Sequence, residues 1–86
     1  MNSKEVLSKF MIAFSKNLTE LRENKYKHAA DMSKVSSFDP SNYNKYEQGE
    51  GNPTIETILK LASALNIPPK ELFNFDFDFE KFKIEE

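Results

Sequence analysis

The amino-acid sequence predicts an all-α domain of five short helices, followed by an aromatic and acidic tail. Apolar residues recur every three or four positions in two segments, capping and turn residues separate the segments, and no alternating strand pattern precedes residue 74. The chain has 86 residues, which suits one domain. We therefore expect residues 1–74 to form the helical body and residues 75–86 to form the tail.

The first two helices are predicted from hydrophobic spacing and from capping residues. Ser3 is the predicted N-cap of helix one, and either Asn24 or the "ENKYK" stretch is its predicted end. A short second helix is predicted over "HAADMSKV", residues 28–35. The apolar face of helix one consists of Leu7, Phe10, Phe14, Leu18 and Leu21.

Helix three is predicted from an N-cap, a proline and a glycine. Asp39 is a favourable N-cap, Pro40 suits the first helical position, and Gly49 is expected to end the helix. Tyr43 and Tyr46 lie three residues apart and share one face of such a helix. We expect both rings to point into the core.

The opposite face of helix three carries a proline and four polar residues, namely Pro40, Ser41, Asn42, Asn44 and Lys45. Asparagine can bind the adenine edge with two hydrogen bonds, serine can bind several bases, and lysine can reach guanine or a phosphate. This face is therefore suited to reading nucleic-acid bases.

The loop "GEGNP" separates helix three from the last two helices. Thr54 is the predicted N-cap of helix four, and "NIPPKELF" is predicted to turn into helix five, which adds Leu72 and Phe73. Helix four is expected to be the centre of the core. Its apolar residues are Ile55, Ile58, Leu59, Leu61, Ala62 and Leu65.

The composition argues against several classes of function. The chain has no cysteine and a single histidine, His28, so we expect neither a disulfide nor a metal site. It lacks a phosphate-binding glycine loop and a nucleophile beside a base, so we expect no enzymatic activity and no cofactor. Its apolar runs are too short for a membrane span, and the absence of cysteine favours a reducing, cytoplasmic location.

Charge is distributed unevenly along the chain. The net charge is −2, but residues 74–86 contain five acids and two lysines and carry −3, which leaves +1 on residues 1–73. A weakly basic body can bind DNA when its cations and helix N-termini share one face, although its non-specific affinity should be low.

One long segment resembles a known family. "DPSNYNKYEQGEGNPTIETILKLASALNIPPKELF" is similar to the recognition helix, the E-x-G-x-x-N-P-[ST] loop and the last two helices of the Cro/phage-repressor-type (XRE-like) helix-turn-helix regulators. The resemblance covers roughly residues 14–73. It implies a repressor-like helix-turn-helix fold and a sequence-specific regulator of transcription, usually a repressor. Such a regulator would bind a palindromic operator in double-stranded DNA as a homodimer.

The resemblance also assigns roles to individual residues. It implies that helix three reads bases with the five residues of its outer face, and that Gln48 and Thr54 bind phosphates. Lys27 and His28, at the start of helix two, are further phosphate candidates, although a lone histidine is more often simply solvated.

The comparison with the family pattern gives one charged pair that fits it and one segment that differs from it. The resemblance implies that Arg22 pairs with Glu47, whereas the simpler interpretation leaves both charges solvated on the surface. Where the family commonly has Gly-Leu-Ser/Thr-Gln, this chain has "YKHA", so the family's phosphate-binding glutamine is missing.

The tail, "FNFDFDFEKFKIEE", concentrates five of the eight phenylalanines and fits either a strand or a helix. It either completes the core of its own chain or forms the dimer interface, and it is also a possible site for a protein partner. An antitoxin-like protein-interaction module that binds little or no DNA remains the alternative function, which the acidic balance favours.

Overall fold

The computed structural model describes residues 1–35 and 37–85 and contains four α-helices and one 3₁₀ helix. Helix α1 covers Ser3–Glu23, α2 covers Ala30–Val35, α3 covers Pro40–Glu47 and α4 covers Ile55–Leu65. The 3₁₀ helix covers Pro69–Phe73. The all-α class is confirmed. Of the five predicted helices, the fifth is a 3₁₀ helix and not an α-helix.

Helix α1 begins with a capping box, and the prediction that Ser3 is its N-cap was wrong. The side chain of Asn2 accepts a hydrogen bond from the Glu5 amide at 2.9 Å, and the Glu5 carboxylate accepts one from the Asn2 amide at 3.3 Å. This box requires an acid or amide three residues after the cap. Asn2 has Glu5 in that place, whereas Ser3 has Val6.

The remaining helix ends follow the capping residues. Helix α2 begins at Ala30, two residues later than predicted. The predicted caps of α3 and α4 are confirmed, because Asp39 accepts from the Ser41 amide at 2.9 Å and Thr54 accepts from the Thr57 amide at 3.1 Å. Helix α4 ends at Asn66 in the left-handed region (φ 54°), a conformation that asparagine tolerates better than most residues.

The core lies between the four α-helices and the 3₁₀ helix. Its largest fully buried side chains are Tyr43, Phe14, Leu18, Met32, Leu61 and Leu72. Helix α4 contributes Ile58, Leu61, Ala62 and Leu65 as predicted. Ile55 and Leu59 are 76% and 52% exposed, so their assignment to the core was wrong. These two residues lie four apart, on a stripe of α4 that the described residues leave exposed.

The two tyrosines of α3 differ in burial. Tyr43 is fully buried, as predicted, whereas Tyr46 is only half-buried. The ring of Tyr46 lies against the loop that follows α3. A Cβ atom built on Gly51 would come within 3.1 Å of Cε1 of Tyr46, so the ring and the glycine are packed closely together.

The tail folds back onto α1 of its own chain. Phe10 contacts the rings of Phe75 and Phe77, with centroids 5.2 and 5.0 Å away. Near the chain end, the Glu85 amide donates to the Met1 carbonyl at 2.8 Å. The described tail residues, 75–85, have irregular backbone with one turn at residues 79–81, so neither the predicted strand nor the predicted helix is present there.

None of the helices in the described part of the chain is long and apolar enough to cross a membrane.

Candidate nucleic-acid interface

Helix α3 presents its polar side outward. Tyr43 anchors the inner side of the helix in the core, with no exposed surface. The five predicted base-reading residues are all exposed, namely Pro40, Ser41, Asn42, Asn44 and Lys45. Because a major groove admits one α-helix, an exposed polar face of this length is of the right size to lie against base edges.

The N-terminal end of α3 is fixed by Asp39. One carboxylate oxygen of Asp39, Oδ1, accepts two hydrogen bonds from Ser41, one from the amide at 2.9 Å and one from the hydroxyl at 2.6 Å. Both bonds lower the pKa of Asp39, the one from the hydroxyl more than the one from the amide. Asp39 is therefore a charged cap at neutral pH, and it orients the Ser41 side chain.

The C-terminal end of α3 is fixed by an ion pair with α1. Nε of Arg22 donates to Glu47 at 3.0 Å, and Nη2 donates to the other carboxylate oxygen at 2.9 Å. Glu47 also accepts hydrogen bonds from Thr19 and from the Tyr43 hydroxyl. The pair implied by the family resemblance is thus present, and it is part of a cluster of four side chains.

Arg22 holds a third element in place. Its remaining nitrogen, Nη1, donates to the carbonyls of Tyr26 and Lys27 at 3.3 and 3.1 Å. The Tyr26 hydroxyl donates in turn to the carbonyl of Ala64 in α4 at 2.9 Å. One buried guanidinium therefore joins α1, the loop before α2 and the end of α3, so α3 and this loop have a fixed relative position.

The electrostatics of the cluster follow from burial and from hydrogen bonding. Burial raises the pKa of Tyr43, and the neighbouring Glu47 carboxylate raises it further. Burial alone would raise the pKa of Glu47, but hydrogen bonds from Arg22 and Tyr43 outweigh it, and the pKa is lowered. The hydrogen bond to Glu47 raises the pKa of Arg22. The pair therefore stays charged at neutral pH.

The predicted phosphate-binding residues lie around α3 in three separate places. Gln48 is the C-cap of α3 and is exposed. Thr54 is exposed at the N-terminus of α4, where its hydroxyl is also 3.1 Å from that of Thr57. Lys27 and His28 are exposed in the loop before α2.

These residues are connected to α3 to different degrees. Gln48 directly follows Glu47, and the Lys27 carbonyl is bonded to Arg22, so both flank the ion pair. Thr54 and His28 instead make their hydrogen bonds within their own segments. The structure therefore groups the predicted base-reading residues on one helix and spreads the predicted phosphate-binding residues over its surroundings.

Sequence reasoning missed several side chains that position this surface. Thr19 and the Tyr43 hydroxyl complete the ion-pair cluster, and a sequence signal for them existed. Thr19 precedes Arg22 by three residues and Tyr43 precedes Glu47 by four, which are spacings that put neighbours on one helix face. Asn17 donates to the carbonyls of Glu71 and Leu72 at 2.8 and 3.0 Å, and backbone acceptors of this kind leave no sequence signal.

Comparison with known proteins identifies the family. The sequence pattern described as helix-turn-helix matches residues 18–72, more than half of the chain. The chain belongs to this helix-turn-helix family. The match lies within the segment, roughly residues 14–73, for which the sequence resembles the Cro/phage-repressor-type regulators.

Two similar proteins support this assignment. The chain is 44% identical over 46 residues to the cryptic phage CTXphi transcriptional repressor RstR of Vibrio cholerae serotype O1, a match that covers 54% of this chain and 41% of the repressor. The chain therefore spans less than half the length of that relative. It is also similar to the crystal structure of the restriction-modification controller protein C.AhdI from Aeromonas hydrophila. That similarity has a TM-score of 0.69 and 38% identity, and it covers 73% of this chain and 96% of the other.

The matched family is described as helix-turn-helix, and the two similar proteins are named a transcriptional repressor and a restriction-modification controller protein, so the resemblance to the Cro/phage-repressor-type regulators is confirmed. Membership of this family makes the chain a DNA-binding type of regulator and not an enzyme.

Proposed function

We propose that this protein is a sequence-specific DNA-binding repressor of transcription that acts in the cytoplasm. Helix α3 lies in the major groove, and binding alone, without any chemical step, occludes a promoter. The observation that carries this proposal is the pair of anchors on α3. Asp39 fixes one end and the Arg22–Glu47 pair fixes the other, while the polar face between them is exposed.

The charge distribution suits a protein that reads a DNA sequence but binds DNA of any other sequence only weakly. Lys45 on α3 and Lys27 in the loop before α2 are both exposed and can approach phosphates. The tail acids Asp76 and Asp78 are also exposed, and DNA repels them, so the tail must lie away from the bound duplex. With a net charge of −2, most of the affinity has to come from specific contacts, helix N-termini and loop amides.

The active species in this proposal is a homodimer on a palindromic operator. A two-fold axis would place two copies of α3 in successive major grooves, one helical turn apart. Apolar side chains that are exposed in the single chain support self-association, because large apolar patches seldom stay exposed. These side chains include Ile55 and Leu59 on α4 and Phe79 and Ile84 on the tail. We propose that Phe79 and Ile84 contribute to the dimer and form the surface available to any protein partner.

Selection of bound duplexes from a random pool, followed by substitution of Asn42, tests this function. We expect Asn42→Ala to weaken binding to the selected operator by about 1 to 3 kcal/mol and to relax the preference at one base position in each half-site. Affinity for random duplexes should hardly change, because base contacts do not contribute to it. Electrophoretic shift or fluorescence anisotropy measures both affinities.

Gln48→Ala is the matched control, because Gln48 is also exposed but is assigned to a phosphate. It should weaken operator and random DNA to the same extent. If Asn42→Ala also weakens both equally, Asn42 does not read a base.

The acidic tail favours one second candidate, a protein-interaction module of the antitoxin type. Residues 74–86 carry −3, and within the described tail Phe79 is exposed between acidic neighbours. Binding to mixed duplex DNA at low salt separates the two functions. A DNA reader retains weak, salt-sensitive binding, whereas a pure interaction module shows none.

A further inference from the structure

The hydroxyl of Ser41 has already donated its hydrogen. It lies 2.6 Å from Oδ1 of Asp39, and an ionised carboxylate can only accept, so the serine is the donor in this bond. A serine hydroxyl has one hydrogen and two lone pairs. What Ser41 presents to a ligand is therefore a hydrogen-bond acceptor.

Asp39 is held firmly in the position that imposes this polarity. The same oxygen accepts the Ser41 amide at 2.9 Å as the N-cap of α3, and Pro40 between the two residues restricts the backbone. Hydrogen bonds from Ser41 lower the pKa of Asp39, so the carboxylate stays ionised at neutral pH. A hydrogen bond to a charged acceptor is about twice as strong as a neutral one. The hydroxyl hydrogen of Ser41 therefore stays directed at the Asp39 carboxylate.

We propose that Asp39 makes Ser41 an acceptor-only base reader, which selects adenine or cytosine and rejects guanine or thymine at the base it contacts. This inference rests on the proposed function, in which α3 lies in the major groove. There, adenine N6 and cytosine N4 are donors, whereas guanine O6 and N7 and thymine O4 are acceptors. An acceptor on the protein pairs only with the amino bases.

The same geometry argues against two other roles for Ser41. A phosphate oxygen is an acceptor, so Ser41 cannot donate to a phosphate while it is bound to Asp39. The negative charge of Asp39 also lies beside Ser41 and would repel the carbonyl oxygens of guanine and thymine. Asp39 and the Ser41 hydroxyl, at this end of the α3 face, therefore both favour an amino group on the DNA.

The test uses operator duplexes that differ only at the base whose preference Ser41→Ala removes. For each protein, the ratio of affinities for the adenine or cytosine duplex over the guanine or thymine duplex is measured. We expect a ratio of about two- to tenfold for the unchanged protein, the range of one hydrogen bond, and a ratio near one for Ser41→Ala.

Asp39→Asn is the decisive variant, because asparagine still caps the helix but carries no charge. It should narrow the ratio at this base and leave the preferences at other bases unchanged. Loss of a negative charge raises affinity for all duplexes alike, so the ratio within one variant is unaffected by it. Circular dichroism of each variant checks that the helices are retained.

The outcomes separate this inference from the proposed function. A preference for guanine or thymine at the Ser41-dependent base would overturn the inference while leaving DNA reading intact. So would a Ser41→Ala variant that weakens all duplexes equally. Failure of the unchanged protein to bind any duplex would overturn the proposed function, and the inference with it.

Discussion

The side chain of Arg22 links its own helix, α1, to α3 and to the loop before α2. Its guanidinium bonds to Glu47 in α3 and to the carbonyls of Tyr26 and Lys27. The family resemblance predicts the partner in α3 because both residues stand at motif positions. The two carbonyl contacts were not predictable, since every residue has a carbonyl and the sequence does not show which ones converge. Loss of either charged partner would leave the other buried without its counter-charge, which is strongly destabilising.

Glu47→Gln is predicted to lower the free energy of unfolding by about 1.5 to 3 kcal/mol at neutral pH, because hydrogen bonds to the charged carboxylate are weakened. This loss in the free energy of unfolding should depend on pH. The folded protein holds the pKa of Glu47 below the ordinary value of 4.5. Its contribution is therefore complete above that value and is lost as the pH falls through the lowered pKa. Urea unfolding across this pH range should show the difference between wild type and variant shrinking in acid.

Glu50→Gln is the charge-matched control for this experiment, since Glu50 is exposed in the loop after α3. It removes one carboxylate without touching the Arg22 cluster. A Glu47→Gln cost that stayed constant into acid would show that the glutamate acts by shape alone and not by charge.

At the scale of elements, the sequence predicts the starts of α3 and α4 correctly, but the starts of α1 and α2 and the buried face of α4 less well. Asp39 and Thr54 cap α3 and α4 as expected, because a capping side chain acts on its own neighbouring amides. The buried face of α4 was predicted too broadly. Ile55 and Leu59 are as apolar as the core residues, but their exposure depends on which elements reach α4, and local sequence carries no information about that.

The loop between α3 and α4 depends on two glycines with positive φ, Gly49 at 79° and Gly51 at 86°. Gly51→Ala is predicted to destabilise the fold by about 1 to 2 kcal/mol or more, since an L-residue is strained there. The added Cβ would also press on the ring of Tyr46, 3.1 Å away. Thermal unfolding measures the loss. Glu50→Ala, in the same loop, should leave the melting temperature nearly unchanged, and equal effects of the two substitutions would contradict a role for the backbone conformation.

At the scale of the whole molecule, the tail is the part that sequence reasoning left undecided. Its phenylalanines fit the periods of both a strand and a helix, so the choice depended on contacts distant in sequence. The structure adopts neither. Phe10 of α1 packs edge-on against Phe75 and Phe77, and those ring contacts position the tail. The helix class and the caps of α3 and α4 were predictable because local residues determine them, whereas the route of the tail was not.

This packing gives the tail an inner and an outer side. On the inner side, Phe77 is half-buried between Phe10 and Phe82, with ring centroids 5.0 and 5.6 Å away. On the outer side, Phe79 and Ile84 are 62% and 56% exposed. The inner side accounts for the interpretation that the tail completes its own core. The outer side is the part that can contact a second copy, so the two roles can be tested by different substitutions.

Phe77→Ala and the double variant Phe79→Ala with Ile84→Ala are predicted to separate stability from assembly. Phe77→Ala should lower the free energy of unfolding by about 1 to 3 kcal/mol, because a half-buried ring is removed from its packing on α1. In the double variant, the free energy of unfolding of the single chain should change little. The variant should nevertheless sediment at lower mass and bind operator DNA more weakly, because its dimer is weakened. Sedimentation velocity and thermal unfolding of both variants provide these measurements.

A double variant that remains as dimeric as the wild type would show that the tail is not part of the dimer interface. Self-association would then use other exposed apolar side chains, of which Ile55 and Leu59 on α4 are the first to substitute.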